Sequence, residues 1–210
     1  MEKLEKDAQI KEYFDFYQKK VLPYVKKYAT QPLKGYHGLE DHTDAVVFRA
    51  IDYALELGKN PIPVIFAAAC HDMARINDNE DPGHAERALP LAQKVMNRFP
   101  KRLTDTEKET VLTAIRMHTT GSQASDYICA CLWDADRTRL AWERGYHEKY
   151  FNTEYAKKIA SGDAKTYITR QNKILGRINK DQESNQTISL QKNKKELMKL
   201  YNRLKDYFKQ

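Results

Sequence analysis

The chain has few glycines, prolines and cysteines, and no long apolar run. Eight Gly and seven Pro in 210 residues, grouped where helices would begin and end, supply too little turn chemistry for a sandwich or barrel. Apolar–polar alternation bounded by turn residues is missing, so no strand pattern stands out. Cys70, Cys129 and Cys131 are odd in number and lie inside apolar segments. That excludes a disulfide framework and points to buried thiols in a reducing compartment. The most apolar run, Ile62 to Cys70, has about half the ~20 residues needed to cross a bilayer, so it reads as a buried helix. Met1 to Lys20 carries charge throughout and lacks the apolar stretch of a signal peptide. A cytoplasmic location with no membrane partner is the expectation.

Charge is abundant and uneven. The net charge is +7, yet Ala164 to Gln210 holds twelve Lys or Arg against four Asp or Glu, a net of +8. The preceding residues are therefore near neutrality. Such a tail could attract nucleic acid through a salt-sensitive, non-specific attraction. No aromatic-rich motif for single strands accompanies it, and a solvated helix face is the favoured reading.

Helical signals run along the chain. Glu2 to Thr30 reads as one helical segment bent at Pro23. Glu40 to Leu57 carries Val47, Ile51, Ala54 and Leu55 at helical spacing and stops at Gly58. Asn60 and Pro61 restart the chain as cap and first helical residue. Pro61 to Arg75 is apolar on all sides until its end and should be the central helix. Gly83 to Phe99 follows an acidic loop. Thr104 and Glu107 form a capping box for a helix reaching about His118. Gly121 separates this from a helix over about Ser125 to Ala141, and Gly162 marks another break. Asn179 to Ser189 reads as a linker. Leu197, Tyr201, Leu204 and Phe208 give an amphipathic final helix that docks on the same domain or across a dimer. The expected fold class is all-α, a helical bundle with short connections. The expected organisation is a helical domain over 1–163 and a basic helical extension over 164–210.

Three helices each offer a metal-capable group to the interior. His42 lies in the first turn of its helix, on the face of Val46 and Arg49. His71 and Asp72 end the central apolar helix, where a charged carboxylate is costly without a cation. Asp136 lies in an apolar helix on the face of Cys129 and Leu132. Imidazole with carboxylate suits several divalent metals. Arg75, three residues after Asp72, and Arg137, beside Asp136, carry guanidinium groups suited to phosphate oxygens. A salt bridge to Asp78, Glu80 or Asp81 is the structural alternative for both.

The sequence resembles the HD-domain metal-dependent phosphohydrolases over roughly Tyr36 to Leu140. The matching stretches are His37-Gly-Leu-Glu-Asp-His42-Thr-Asp-Ala-Val46, Ala69-Cys-His-Asp-Met-Ala-Arg75 and Asp134-Ala-Asp-Arg137. The resemblance implies an HD-domain-like helical bundle with a metal site of His42, His71, Asp72 and Asp136. Some members place two further His near such a site and bridge a second metal through the Asp of the pair. That implies a second ion held by Asp72, His84 and His118, the alternative being His that cap helices or touch substrate. Some relatives have a Glu where Arg75 stands here, and the Glu-Asp pair of the ppGpp hydrolases is absent, which weakens the 5′-deoxynucleotidase and ppGpp hydrolase assignments without excluding them.

The implied activity is hydrolysis of a phosphate ester, a nucleotide or another small phosphorylated metabolite, by a metal-activated water. One or two ions of Mn, Fe, Co, Ni, Zn or Mg would serve. Asp72, Arg75 and Arg137 are the expected catalytic residues. Glu40, Asp41, Asp78 and Asp81 are candidates for proton handling. His37 could line the pocket or cap a helix, and His147 reads as a surface residue. Two other readings fit the same residues. One is a di-iron oxygenase using His42, His71, Asp72, His84, His118 and Asp136; the other is a non-catalytic, metal-containing binding module with a basic tail.

Overall fold

The computed structural model describes residues 3–30, 38, 42–78 and 80–177. Its regular elements are helices, and no strand occurs among the described residues. Helix α1 spans Lys3–Phe16, a wide π-type turn spans Tyr17–Val21, and α2 spans Leu22–Tyr28. Helices α3, α4 and α5 cover Asp44–Glu56, Pro61–Cys70 and His84–Met96. Helices α6 and α7 cover Asp105–Met117 and Tyr127–Arg144. A short 3-10 turn at Glu148–Tyr150 precedes α8, Glu154–Ala160, and α9, Ala164–Ile174. The chain divides into two compact units, Met1–Ile168 and Thr169–Gln210. The second is described only to residue 177. Its expected linker and amphipathic final helix lie outside the described residues, as do His37, Glu40 and Asp41. No helix among the described residues is long and apolar enough to cross a membrane.

In the first unit α4 is central, and every residue from Pro61 to Cys70 is buried. It packs against α3, α5, α6 and α7, while α3 also packs on α7 and α1. Burying such a helix on all sides takes all its apolar side chains out of water, which favours the folded bundle. Its start follows the sequence signal: the Asn60 side chain accepts the Ile62 N–H at 3.0 Å, and Pro61 occupies the first turn. Helix α6 carries the reciprocal capping box of Thr104 and Glu107. Helix α7 is capped by the Asp126 carboxylate, which accepts from the N–H groups of Ile128 and Cys129.

Two expectations need correction. The N-terminal helical segment changes at Tyr17–Val21, not by a bend at Pro23. Pro23 has no N–H for the carbonyl one turn earlier, and a π-type turn accommodates the altered bonding just before it. The central helix ends at Cys70, not Arg75. Beyond it the backbone tightens, with Met73 N–H donating to Cys70 O and Arg75 N–H to Asp72 O. His71 itself keeps helical dihedrals, φ −58° and ψ −41°, so the tightening takes hold beyond it.

The π-type turn has a consequence for the site. Tyr17 Oη and Gln18 Nε2 donate to the two carboxylate oxygens of Asp44, at 2.8 and 2.9 Å. Asp44 opens α3 two residues after His42. The N-terminal helices thereby fix the start of α3. The His42 N–H donates to Gly38 O at 3.0 Å, completing that turn.

Candidate metal centre

Six side chains converge below the surface: His42, His71, Asp72, His84, His118 and Asp136. His71 caps the C-terminal end of α4 and His118 that of α6. His84 is the first residue of α5, reached through Gly83 at φ +83°, a conformation that favours glycine. Asp136 projects from α7. All but Asp136 are buried, and its side chain is only 19% exposed.

The donor atoms form two sets that meet at Asp72. His42 Nε2 lies 3.1 Å from Asp136 Oδ1, 3.3 Å from His71 Nε2 and 3.7 Å from Asp72 Oδ2. His71 Nε2 lies 3.5 Å from the same Asp72 oxygen and 3.7 Å from Asp136 Oδ1. The other oxygen, Asp72 Oδ1, lies 3.1 Å from His84 Nε2 and 3.5 Å from His118 Nε2, which are 3.0 Å apart. Ligands about 2.1 Å from one ion sit about 3.0 to 3.4 Å from each other in octahedral or tetrahedral arrangements. Both sets have nearly that spacing, and the two oxygens of Asp72 face one each.

Proton placement supports the same conclusion. His71 Nδ1 lies 2.7 Å from Ala68 O, His84 Nδ1 2.6 Å from Asp81 O, and His118 Nδ1 2.7 Å from Ile115 O. A carbonyl only accepts, so each Nδ1 carries a proton, and each Nε2 is aimed inward at the other donors. His84 Nε2 and His118 Nε2 face each other at 3.0 Å, with Asp72 Oδ1 at 3.1 and 3.5 Å, a spacing that suits a shared cation. Metal-bound His characteristically donates its other ring N–H in this way. The C-terminal ends of α4 and α6 also direct their negative dipole ends toward the centre. The donor set therefore fits one or two divalent ions.

Burial and charge set the protonation states. Burial pushes His71 down to about 4, leaving it neutral at pH 7. Burial alone would raise the carboxyls of Asp72 and Asp136. The surrounding imidazoles outweigh it and hold Asp72 well below the usual carboxylate range, and Asp136 below it too. Two carboxylates and four imidazoles thus sit where a dication would neutralise the charge.

The two arginines differ in their surroundings. Arg75 Nε lies 3.1 Å from Asp72 Oδ1, and its side chain lines the cleft above the centre. Arg137 also lines the cleft, but its guanidinium donates to the carbonyls of Tyr150 at 3.0 Å, His118 at 3.2 Å and Gly121. It also stacks over Trp133. A Cβ on Gly121 would fall 2.4 Å from that indole, so only glycine lets the loop approach so closely. Arg137 therefore tethers the segment after His118. The suggested salt bridge from Arg137 to the acidic loop is replaced by these carbonyls. Asp81 accepts from Arg87 at 2.6 Å and from Ile76 N–H at 3.0 Å, which holds the loop that anchors His84. His147 is exposed, as expected.

Several contributors had little sequence signal. Arg49, 2% exposed, donates from Nε to Ala135 O at 2.7 Å, tying α3 to α7 beside Asp136. Its place on the His42 face was the one available hint. Thr119, Arg139 and Leu140 complete the cleft, whose volume is about 220 Å³.

The HD domain family matches this chain over residues 39–161, more than half its length. The chain belongs to the HD domain family. A crystal structure of a predicted HD superfamily hydrolase from an uncultured Thermotogales bacterium is similar to it, with 22% identity and a TM-score of 0.55. The similarity covers 76% of this chain and 91% of that one, and it supports the fold. A comparison with curated proteins finds no match.

Proposed function

We propose that this chain is a metal-dependent phosphohydrolase acting on a nucleotide or another small phosphorylated metabolite. The observation that carries the reading is the two-sided use of Asp72, with His42, His71 and Asp136 on the side of one oxygen and His84 and His118 on the other, beneath a cleft bordered by Arg75, Arg137 and Arg139. In this reading His42, His71, Asp72 and Asp136 hold a first ion. Asp72, His84 and His118 hold a second. Bound there, a divalent ion supplies an acidified water and a Lewis acid for a phosphoryl oxygen. Arg75 binds a non-bridging phosphate oxygen and offsets charge as the ester bond breaks. Arg137 acts through position, fixing the His118–Gly121 segment. Asp72, kept ionised by its imidazole neighbours, orients both ends of the centre.

The test is a phosphate-release screen over mono-, di- and cyclic nucleotides with Mn, Co, Ni, Zn and Mg, alongside metal analysis. Metal-dependent release that disappears in Asp72→Ala supports the proposal. A fully active Asp72→Ala would rule out this site. The convergence of six donors equally suits a di-iron oxygenase. Two tightly held iron atoms, oxygen consumption and no phosphate release would favour that reading. The arginine-lined cleft weighs toward phosphate.

A further inference from the structure

The two donor sets are built from different parts of the bundle. Asp72, His84 and His118 come from just past α4, the start of α5 and just past α6. The first set instead needs α3 and α7 to meet. His42 lies just before α3, Asp136 lies on α7, and their donor atoms are 3.1 Å apart. His71, His84 and His118 are each steadied by a carbonyl three residues upstream. The approach of His42 to Asp136 depends on the register of α3 against α7, because the two residues are far apart in the chain.

Arg49 lies at that contact. It follows His42 by about two helical turns. It is 2% exposed and donates from Nε, at 2.7 Å, to the carbonyl of Ala135, the residue before Asp136. Its guanidinium carbon lies 5.7 Å from the ring centre of Trp142, whose indole N–H donates to Ile159 O at 3.2 Å. Further along α3, Tyr53 Oη meets Thr138 Oγ1 at 2.9 Å, a second tie between the same two helices.

The guanidinium is costly where it stands. Among the described residues no carboxylate lies within ion-pair distance of it, and its Nη2 has no hydrogen-bond partner. Burial pushes its pKa down, and the charge of Asp136 is one of the influences that oppose this. A methionine or leucine would fill such a position without burying an unpaired charge. Residues that break a local rule in this way concentrate at functional sites. We propose that Arg49 is the positioning residue of the first metal set: by holding α7 at Ala135 it keeps Asp136 opposite His42 at the spacing one ion needs. This rests on the metal-centre part of the reading above and is independent of the substrate. The sign of the effect is diagnostic. By charge alone, Arg49 would repel a dication held by Asp136, and its removal would tighten binding. A positioning role predicts the reverse, because losing the support of a metal ligand weakens a site by about 10- to 100-fold.

The test reads manganese affinity by isothermal titration calorimetry on the full chain in two backgrounds. His118→Ala leaves the first set intact, and His42→Ala leaves the second. Adding Arg49→Met should weaken manganese binding at least about tenfold in the His118→Ala background and leave it unchanged in the His42→Ala background. Arg49→Lys keeps the charge but loses the Nε bond, and should also weaken the first set alone. Unchanged or tighter binding in the His118→Ala background overturns the proposal. So does equal weakening in both backgrounds, which would mean that Arg49 supports the fold as a whole. Where Arg49→Met does not fold, Arg49→Lys decides by the same criteria. If the wild type binds no manganese, the metal-centre reading fails and this inference with it. If manganese binds and no ester is cleaved, only the phosphohydrolase reading fails, and the affinities still decide the role of Arg49.

Discussion

Replacing Asp72 by Asn should abolish metal-induced stabilisation completely, whereas replacing a histidine on one side should leave part of it. Asp72 is 3% exposed, and its two oxygens face different donor sets. A carboxamide keeps the shape but loses the charge, so Asp72→Asn weakens both sets together. His42→Ala removes a donor from the first set alone, and His118→Ala from the second alone. An ion present at a hundred times its dissociation constant stabilises the folded state by about 2.7 kcal/mol. For a domain of this size each kcal/mol raises Tm by about 2 to 4 °C, so one occupied site is worth about 5 to 10 °C. Two sites should give about twice that in the wild type, and each single-histidine variant roughly half of the wild-type rise. Asp72→Asn should show almost none. Thermal unfolding followed by circular dichroism, with and without manganese or zinc, reads this directly. The bridging argument fails if Asp72→Asn keeps the wild-type shift, or if His118→Ala loses as much as Asp72→Asn.

Two further outcomes follow from groups away from the metal donors. Asp134→Ala would leave the donors of Asn152 and Thr153 without their carboxylate, and should cost about 2 to 4 kcal/mol in urea denaturation. Burial lowers the Lys6 amine, but Asp52 at 2.9 Å and the Glu56 carboxylate more than reverse this, so it titrates above its ordinary 10.5. Stability from this group is therefore present below about pH 10.5 and lost as pH rises through the higher folded value. Lys6→Met should flatten that part of the alkaline unfolding profile relative to wild type, and equal alkaline slopes in the two proteins would refute the linkage.

Helix starts were more legible in the sequence than helix ends. Asn60–Pro61 and Thr104–Glu107 work through bonds within three residues of each other, so local sequence carries them. The early end of α4 is a different matter. Nothing between Cys70 and Arg75 breaks a helix by composition, and His71 and Asp72 there meet donors just before α3, on α5, just after α6 and on α7. The π-type turn before Pro23 is likewise visible only with Tyr17 and Gln18 against Asp44.

At the candidate site, the structure brings together all six donors that the sequence reading named. His84 and His118 came from resemblance alone. Their geometry depends on carbonyls three residues upstream and on two helix termini meeting in space, which periodicity does not encode. Arg137 shows the opposite limit. Its neighbour Asp136 suggested phosphate, while its partners are carbonyls from two loops brought back against α7 by the fold.

The most direct test of the central claim is metal content and phosphate release, measured together on purified wild type and Asp72→Ala. The account predicts one or two divalent ions per wild-type chain, metal-dependent release of phosphate from a nucleotide, and neither property in the variant. Release that persists in metal-free protein or in Asp72→Ala would contradict it.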